Sequence, residues 1–178
     1  TTDSLTDSGG TSCNECQTGQ FSADSTVACA FCAAGDYQNQ TGQTACIACT
    51  PGSQTDTLLG TGAVSCTQCE AGQFSSSSDT ACADCAAGLY ADGAESTECL
   101  PCAAGSITDT GEASGATDCT LCEAGTFSIE SNITECDECP AGSITDTGPA
   151  GGAVQCNECA PGLFSTESNI TECDECPA

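Results

Sequence analysis

The residues of this chain that could do chemistry are its cysteines. Its 20 cysteines fall into Cys-x-x-Cys pairs beginning at Cys13, Cys29, Cys46, Cys66, Cys82, Cys99, Cys119, Cys136, Cys156 and Cys173. Such pairs serve as redox centres, as thiolate cages for a metal, or as a disulfide framework. Redox catalysis needs a thiol whose pKa is depressed by basic neighbours or a helix N-terminus. Here the flanks are often acidic, as in Cys136-Asp137-Glu138-Cys139, and Lys, Arg and His are all absent. Two pairs could together hold a zinc ion through four thiolates. Disulfides are the expected state and zinc the alternative, because adjacent pairs are equivalent, sequons accompany them and no His ligand exists.

The remaining functional groups point away from an enzyme. With the cysteines tied up, only Asp and Glu could act as acid or base, and no pair of them stands in a setting that would split their pKa values. The formal charge of −26 with no basic side chain excludes phosphate contacts, hence nucleic acid. An anionic membrane surface would repel the chain, and no apolar stretch approaches the roughly 18 residues of a membrane span. Carboxylates such as Asp137, Glu138, Asp174 and Glu175 could recruit calcium, but no set of six oxygens stands at a recognised spacing, so diffuse counter-ion binding and no bound cofactor are expected.

These cysteines must also do the work of a core. Leu, Ile, Val and Phe number only 7, 6, 3 and 5 among 178 residues, and Trp and Met are absent. A chain this poor in large apolar residues and this highly charged is expected to be disordered unless covalent staples hold it. Cysteine at this density marks a secreted disulfide scaffold.

The elements that position the cysteines are repeats. Every Cys-x-x-Cys with enough chain beyond it runs on into x-x-Gly, at Gly19, Gly35, Gly52, Gly72, Gly88, Gly105, Gly125, Gly142 and Gly162. A glycine at fixed offset marks a backbone corner. The residues after the glycine sort the repeats into three kinds. Phe loops read x-Phe-Ser (Phe21, Phe74, Phe127, Phe164), Tyr loops read x-Tyr (Tyr37, Tyr90), and long loops read Ser-x-Thr-Asp-Thr at Ser53, Ser106 and Ser143. They group as a tail at 1–12, Phe-Tyr-long repeats at 13–65 and 66–118, a Phe-long repeat at 119–155, and a Phe loop with the start of a long loop at 156–178. The two periods differ by one Tyr loop, and a loop that can be dropped alone should be closed alone. That favours joining the second Cys of each pair to the first Cys of the next: Cys16–Cys29, Cys32–Cys46, Cys49–Cys66, Cys69–Cys82, Cys85–Cys99, Cys102–Cys119, Cys122–Cys136, Cys139–Cys156 and Cys159–Cys173. The competing scheme interlaces two successive pairs, for example Cys13–Cys29 with Cys16–Cys32. Loops this short leave no room for a helix and its return, so the expected fold is small disulfide-rich repeats of short β-hairpins and irregular loops, stacked as an elongated rod or solenoid. Each ring two residues after a corner glycine is expected to cover its own disulfide, and Phe31, inside a pair, is expected to be partly exposed.

The run Cys122-Glu123-Ala124-Gly125-Thr126-Phe127-Ser128 and its partners resemble the cysteine-rich repeats of the ephrin-receptor-like and tumour-necrosis-factor-receptor-like families, as also found in protist surface antigens. The resemblance implies small loops stacked end to end in an extracellular setting. Near-identical repeats without a basic residue favour a structural glycoprotein of a cell-surface coat or filament. The alternative is a receptor or adhesin ectodomain that binds a basic protein.

Three sequons begin at Asn39, Asn132 and Asn169, the last two at equivalent positions, and N-glycosylation is expected at all three. The Ser-x-Thr-Asp-Thr loops offer Thr55, Thr57, Thr108, Thr110, Thr145 and Thr147 as O-glycan carriers, with ordinary turn hydrogen bonding as the alternative. The ladder leaves Cys13 and Cys176 over. Cys176-Pro177-Ala178 matches Cys139-Pro140-Ala141, and Thr2 to Gly10 matches the continuation Gly142 to Gly148. The 178 residues are therefore expected to be one period of a longer rod, continued either by covalent chain connection or by copies joined head to tail, for which a Cys176–Cys13 bridge is the candidate link.

Overall fold

The computed structural model describes residues 14–24 and 26–177. Cys13 and the segment before it lie outside the described residues. The described residues form no helix, and so none long and apolar enough to cross a membrane. Their strands are two or three residues long and join in neighbouring pairs: β1 (Gln20–Phe21) with β2 (Ala30–Phe31), β3 (Asp36–Tyr37) with β4 (Ile47–Ala48), β5 (Ser53–Thr55) with β6 (Cys66–Gln68), β7 (Gln73–Phe74) with β8 (Ala83–Asp84), β9 (Leu89–Tyr90) with β10 (Leu100–Pro101), β11 (Ser106–Thr108) with β12 (Cys119–Leu121), β13 (Thr126–Phe127) with β14 (Asp137–Glu138), β15 (Ser143–Thr145) with β16 (Cys156–Glu158), and β17 (Leu163–Phe164) with β18 (Asp174–Glu175). The registers are antiparallel and repeat: Gln20 faces Phe31 as Thr126 faces Glu138 and Leu163 faces Glu175.

The corner glycine starts each hairpin. In Gln17-Thr18-Gly19-Gln20 the Gln20 N–H donates to Gln17 O at 3.1 Å, and Gly19 at the third position has φ +76°. A type II turn demands positive φ there, and glycine adopts it without a Cβ penalty. The Gly19 carbonyl then accepts the Cys32 N–H at 2.9 Å, closing the hairpin beside the disulfide. The same bond runs from Cys49 to Gly35, Cys69 to Gly52, Cys85 to Gly72, Cys122 to Gly105, Cys139 to Gly125, Cys159 to Gly142 and Cys176 to Gly162.

Two compact units are present. The first takes its described residues from Thr1–Glu70, Phe74–Ala83 and Ala94–Glu98, and the second from Ala71–Gln73, Asp84–Gly93 and Cys99–Ala178. Each is built on the same minimal core. Among the described residues the buried apolar side chains are all Cys or Ala: Cys16, Cys32, Cys49, Cys69 and Ala63 in the first, and Cys85, Ala91, Cys102, Ala116, Cys122, Cys139 and Ala153 in the second. The aromatic residues after the corners are half-buried, and backbone bridges tie Tyr37 to Ala63, Tyr90 to Ala116 and Phe127 to Ala153. Phe31 is 62% exposed.

Candidate functional site: the disulfide ladder and its corners

Nine disulfides close the repeats: Cys16–Cys29, Cys32–Cys46, Cys49–Cys66 and Cys69–Cys82 in the first unit, then Cys85–Cys99, Cys102–Cys119, Cys122–Cys136, Cys139–Cys156 and Cys159–Cys173 in the second. Each bridge spans one loop, so no two interlace. Their Cα–Cα distances of 5.5 to 5.9 Å are those of ordinary disulfides. A closed loop of this length stabilises by about 3 kcal/mol through the unfolded state. Cys176 is an exposed free thiol.

Successive loops are held by backbone. At seven joints among the described residues the carbonyl of the first cysteine in a loop accepts an N–H from a left-handed residue of the next loop. At the joint after Cys49 the corner Gly35 instead faces Ser78, which is not left-handed. Gly42 donates to Cys16 O at 2.8 Å, Gly62 to Cys32 O at 2.8 Å, Glu95 to Cys69 O at 3.0 Å, Gly115 to Cys85 O at 2.8 Å, Asn132 to Cys102 O at 3.2 Å, Gly152 to Cys122 O at 2.8 Å and Asn169 to Cys139 O at 3.0 Å. These donors all have positive φ, from 59° at Asn169 to 81° at Gly152. The same residues reach one loop further. A Cβ on Gly105 would lie 2.5 Å from Gly152 O, and one on Gly88 would lie 2.7 Å from Asn132 O. Gly19 faces Gly62, Gly52 faces Glu95, Gly72 faces Gly115 and Gly125 faces Asn169 at still shorter range, whereas a Cβ on Gly142 or Gly162 would meet nothing within 4 Å. The corner glycine therefore shapes the hairpin and also admits the loop two steps on. The spacing of glycines was legible in the sequence, but their second partner was not, because Gly, Glu and Asn share that left-handed position without sharing a side chain.

The Ser-x-Thr-Asp-Thr segment bonds within its own loop. Ser53, Ser106 and Ser143 donate to Thr50, Ala103 and Pro140 carbonyls at 2.6, 2.6 and 2.7 Å. Thr55, Thr108 and Thr145 are each 1% exposed and donate to the carbonyls of Leu58, Gly111 and Gly148. Of the residues expected to carry O-glycans, Thr55, Thr108 and Thr145 are thus buried and bonded within their own loops, the turn hydrogen bonding that was the alternative. Thr57, Thr110 and Thr147 are more open, though their hydroxyls donate to Gly60, Ala113 and Ala150. The aspartate accepts from across the loop: Asp56 from Val64 N–H at 3.1 Å, Asp109 from Thr117 N–H at 3.1 Å, and Asp146 from Val154 N–H at 3.2 Å. The slight burial of Asp109 would raise its pKa, but bonds from the Thr117 hydroxyl and the Thr117, Asp118 and Thr110 backbone outweigh it and hold the carboxyl below its usual value. The sequon residues Asn39, Asn132 and Asn169 are all exposed.

Residues 19–69, 72–119 and 110–151 match the profile described as "Tyrosine-protein kinase ephrin type A/B receptor-like". These matches cover well over half of the chain, and it belongs to that ephrin-receptor-like family of cysteine-rich repeats. It is 33% identical over 97 residues, 53% of its length, to mouse "Signal peptide, CUB and EGF-like domain-containing protein 2". To the human protein of the same name it is 35% identical over 78 residues, 42% of its length. The chain spans only 10% and 8% of those relatives. These descriptions name receptor-like, CUB and EGF-like proteins, and they fit a repeat protein of extracellular or cell-surface type.

Proposed function

We propose that the chain is a secreted structural glycoprotein, a stretch of disulfide-laddered rod that forms part of a cell-surface coat or filament. The observation that supports this most is the joint that recurs between most successive loops. A main-chain bond from a left-handed residue and a glycine opposite it recur in both compact units, with little demand on other side chains. A joint of that kind can be extended by any number of loops, as in other repeat proteins. Its side chains leave little for a specific ligand to read.

Assembly is head to tail between copies, with Cys176 oxidised against Cys13 of the next copy. Such a heterologous contact need not close on itself, so it propagates as a filament. The test is the size distribution of the purified chain under oxidising, non-reducing conditions, by light scattering and electron microscopy. Linear multimers that Cys176→Ser shortens are expected. A discrete monomer at all concentrations overturns the assembly. Stoichiometric capture of a basic protein by that monomer would favour a receptor or adhesin instead.

A further inference from the structure

The three sequons are not equivalent in the folded chain. Asn132 and Asn169 occupy the left-handed position of the inter-loop joint, with φ of 65° and 59°. Each backbone N–H holds a cysteine carbonyl of the preceding loop, and each side-chain amide lies against the corner glycine of the loop before that one, Gly88 and Gly125 respectively. At Gly125 the surrounding groups are carbonyl oxygens, so the amide settles with its nitrogen inward. In that orientation Asn169 Nδ2 donates to Gly125 O and Ala124 O, both at 3.3 Å. Nδ2 is also the atom a glycan would occupy. In the Tyr loop at Asn39 the joint is supplied by Gly42 instead, which donates to Cys16 O. The sequon there is displaced from the joint by three residues, and the Asn39 side chain is exposed with no hydrogen bond among the described residues.

We propose that Asn39 is the glycan-bearing sequon of this chain, and that Asn132 and Asn169 are joint residues whose amides stay unmodified. Transfer from a glycosyl pyrophosphate forms the C1–Nδ2 bond, breaks the C1–O bond to the carrier and releases one Nδ2 proton with the departing phosphate. On Asn39 this displaces nothing. On Asn169 it removes a donor hydrogen from the clamp and sets a sugar where the Gly125 corner packs. The inference rests on the extracellular glycoprotein reading and narrows it.

The full chain is expressed in a secreting eukaryotic host, reduced, and cut after Asp and Glu, since no basic residue is available for cleavage. Enzymatic deglycosylation in heavy-oxygen water then marks each formerly glycosylated Asn as Asp. Ser131–Glu135 and Ser168–Glu172 give one and the same peptide, Ser-Asn-Ile-Thr-Glu, so both joints are read together. Conversion at Asn39 with that pentapeptide unconverted is expected. Equal conversion of both overturns the inference while leaving the glycoprotein reading intact, and conversion at no site overturns both. A second measurement reads the clamp itself. Asn169→Gly keeps the left-handed backbone but loses the amide, and Thr171→Ala destroys the sequon but keeps the clamp. Exchange of the Cys139 N–H, which donates to Gly125 O at 3.2 Å, should quicken roughly fivefold in the first and stay unchanged in the second. Unchanged exchange in both overturns the clamp.

Discussion

Alanine at Gly105 and at Gly142 should separate the two tasks of a corner glycine. Both residues lie in the second compact unit, with φ of 82° and 84°. Each N–H donates to a Phe-loop serine carbonyl, Ser128 at 2.9 Å and Ser165 at 3.1 Å. The backbone cost of a left-handed alanine, about 1–2 kcal/mol, is therefore common to both. The difference lies ahead of them. A Cβ on Gly105 would sit 2.5 Å from Gly152 O and 3.0 Å from its carbonyl carbon, and one on Gly142 would meet nothing within 4 Å. The Gly152 peptide must retreat by most of an ångström, loosening the 2.8 Å bond from Gly152 N–H to Cys122 O. One lost hydrogen bond and the packing beside it come to about 2 kcal/mol more for Gly105→Ala. Native-state hydrogen exchange is the assay, with the nine internal disulfides intact and in the Cys176→Ser background so that no neighbouring copy can reach Gly142. The Gly152 N–H should exchange ~30-fold faster in Gly105→Ala than in Gly142→Ala. Equal rates would refute the argument that the corner admits the loop two steps on.

Three further outcomes are expected. Leu58 has φ +58° and is more than half exposed, where the other long loops place Gly111 and Gly148 at φ 60° and 58°; Leu58→Gly should stabilise the loop by about 0.5–1 kcal/mol, read as slower exchange of the Leu58 N–H to Thr55 O. Asp109 has its pKa lowered in the folded chain, so its contribution is present above the ordinary aspartate value and is lost as pH falls through the folded value; protection of the Thr117 N–H should fall on acidification in the native chain and lose that dependence in Asp109→Asn. Reduction should unfold the protein and chelation should not, so intact-mass measurement after alkylation without reductant should show at most the free thiols labelled, and extensive labelling would refute the ladder.

Much of the fold was legible because cysteine and glycine spacing carries it. A Tyr loop that comes and goes pointed to loops closed singly, and the shortage of Leu, Ile, Val and Phe pointed to covalent closure. The core was harder to foresee. The regularly placed aromatics invited a reading as miniature cores, yet full burial falls to one cysteine of most bridges, to Ala63, Ala116 and Ala153, and to small hydroxyl residues such as Thr55, Thr108, Thr145, Ser75 and Ser128. Small side chains suit the close approach of backbones, and a ring two residues from a corner has no interior wide enough to enter. The glycan positions were read as a sequence triplet, which says nothing of φ; Asn132 and Asn169 share a triplet with Asn39 but not its backbone environment.

The single-loop bridges also determine how this chain would bear tension. Force applied between Cys16 and Cys173 travels through sulfur, because every loop is short-circuited at its neck. The path that carries the force is nine crossings of under 6 Å and eight Cys-x-x-Cys connectors of three residue steps each. At about 3.4 Å per step it is fully taut near 130 Å, whereas the same stretch of unbridged polypeptide could be drawn out to about 530 Å. The loops themselves hang off this path and carry no load, so they can vary in length and sequence without altering its reach. Tethered in this way, the chain would be nearly inextensible beyond its taut length until a covalent bond is reduced or broken, a mechanical property set by connectivity and independent of how strongly the loops pack.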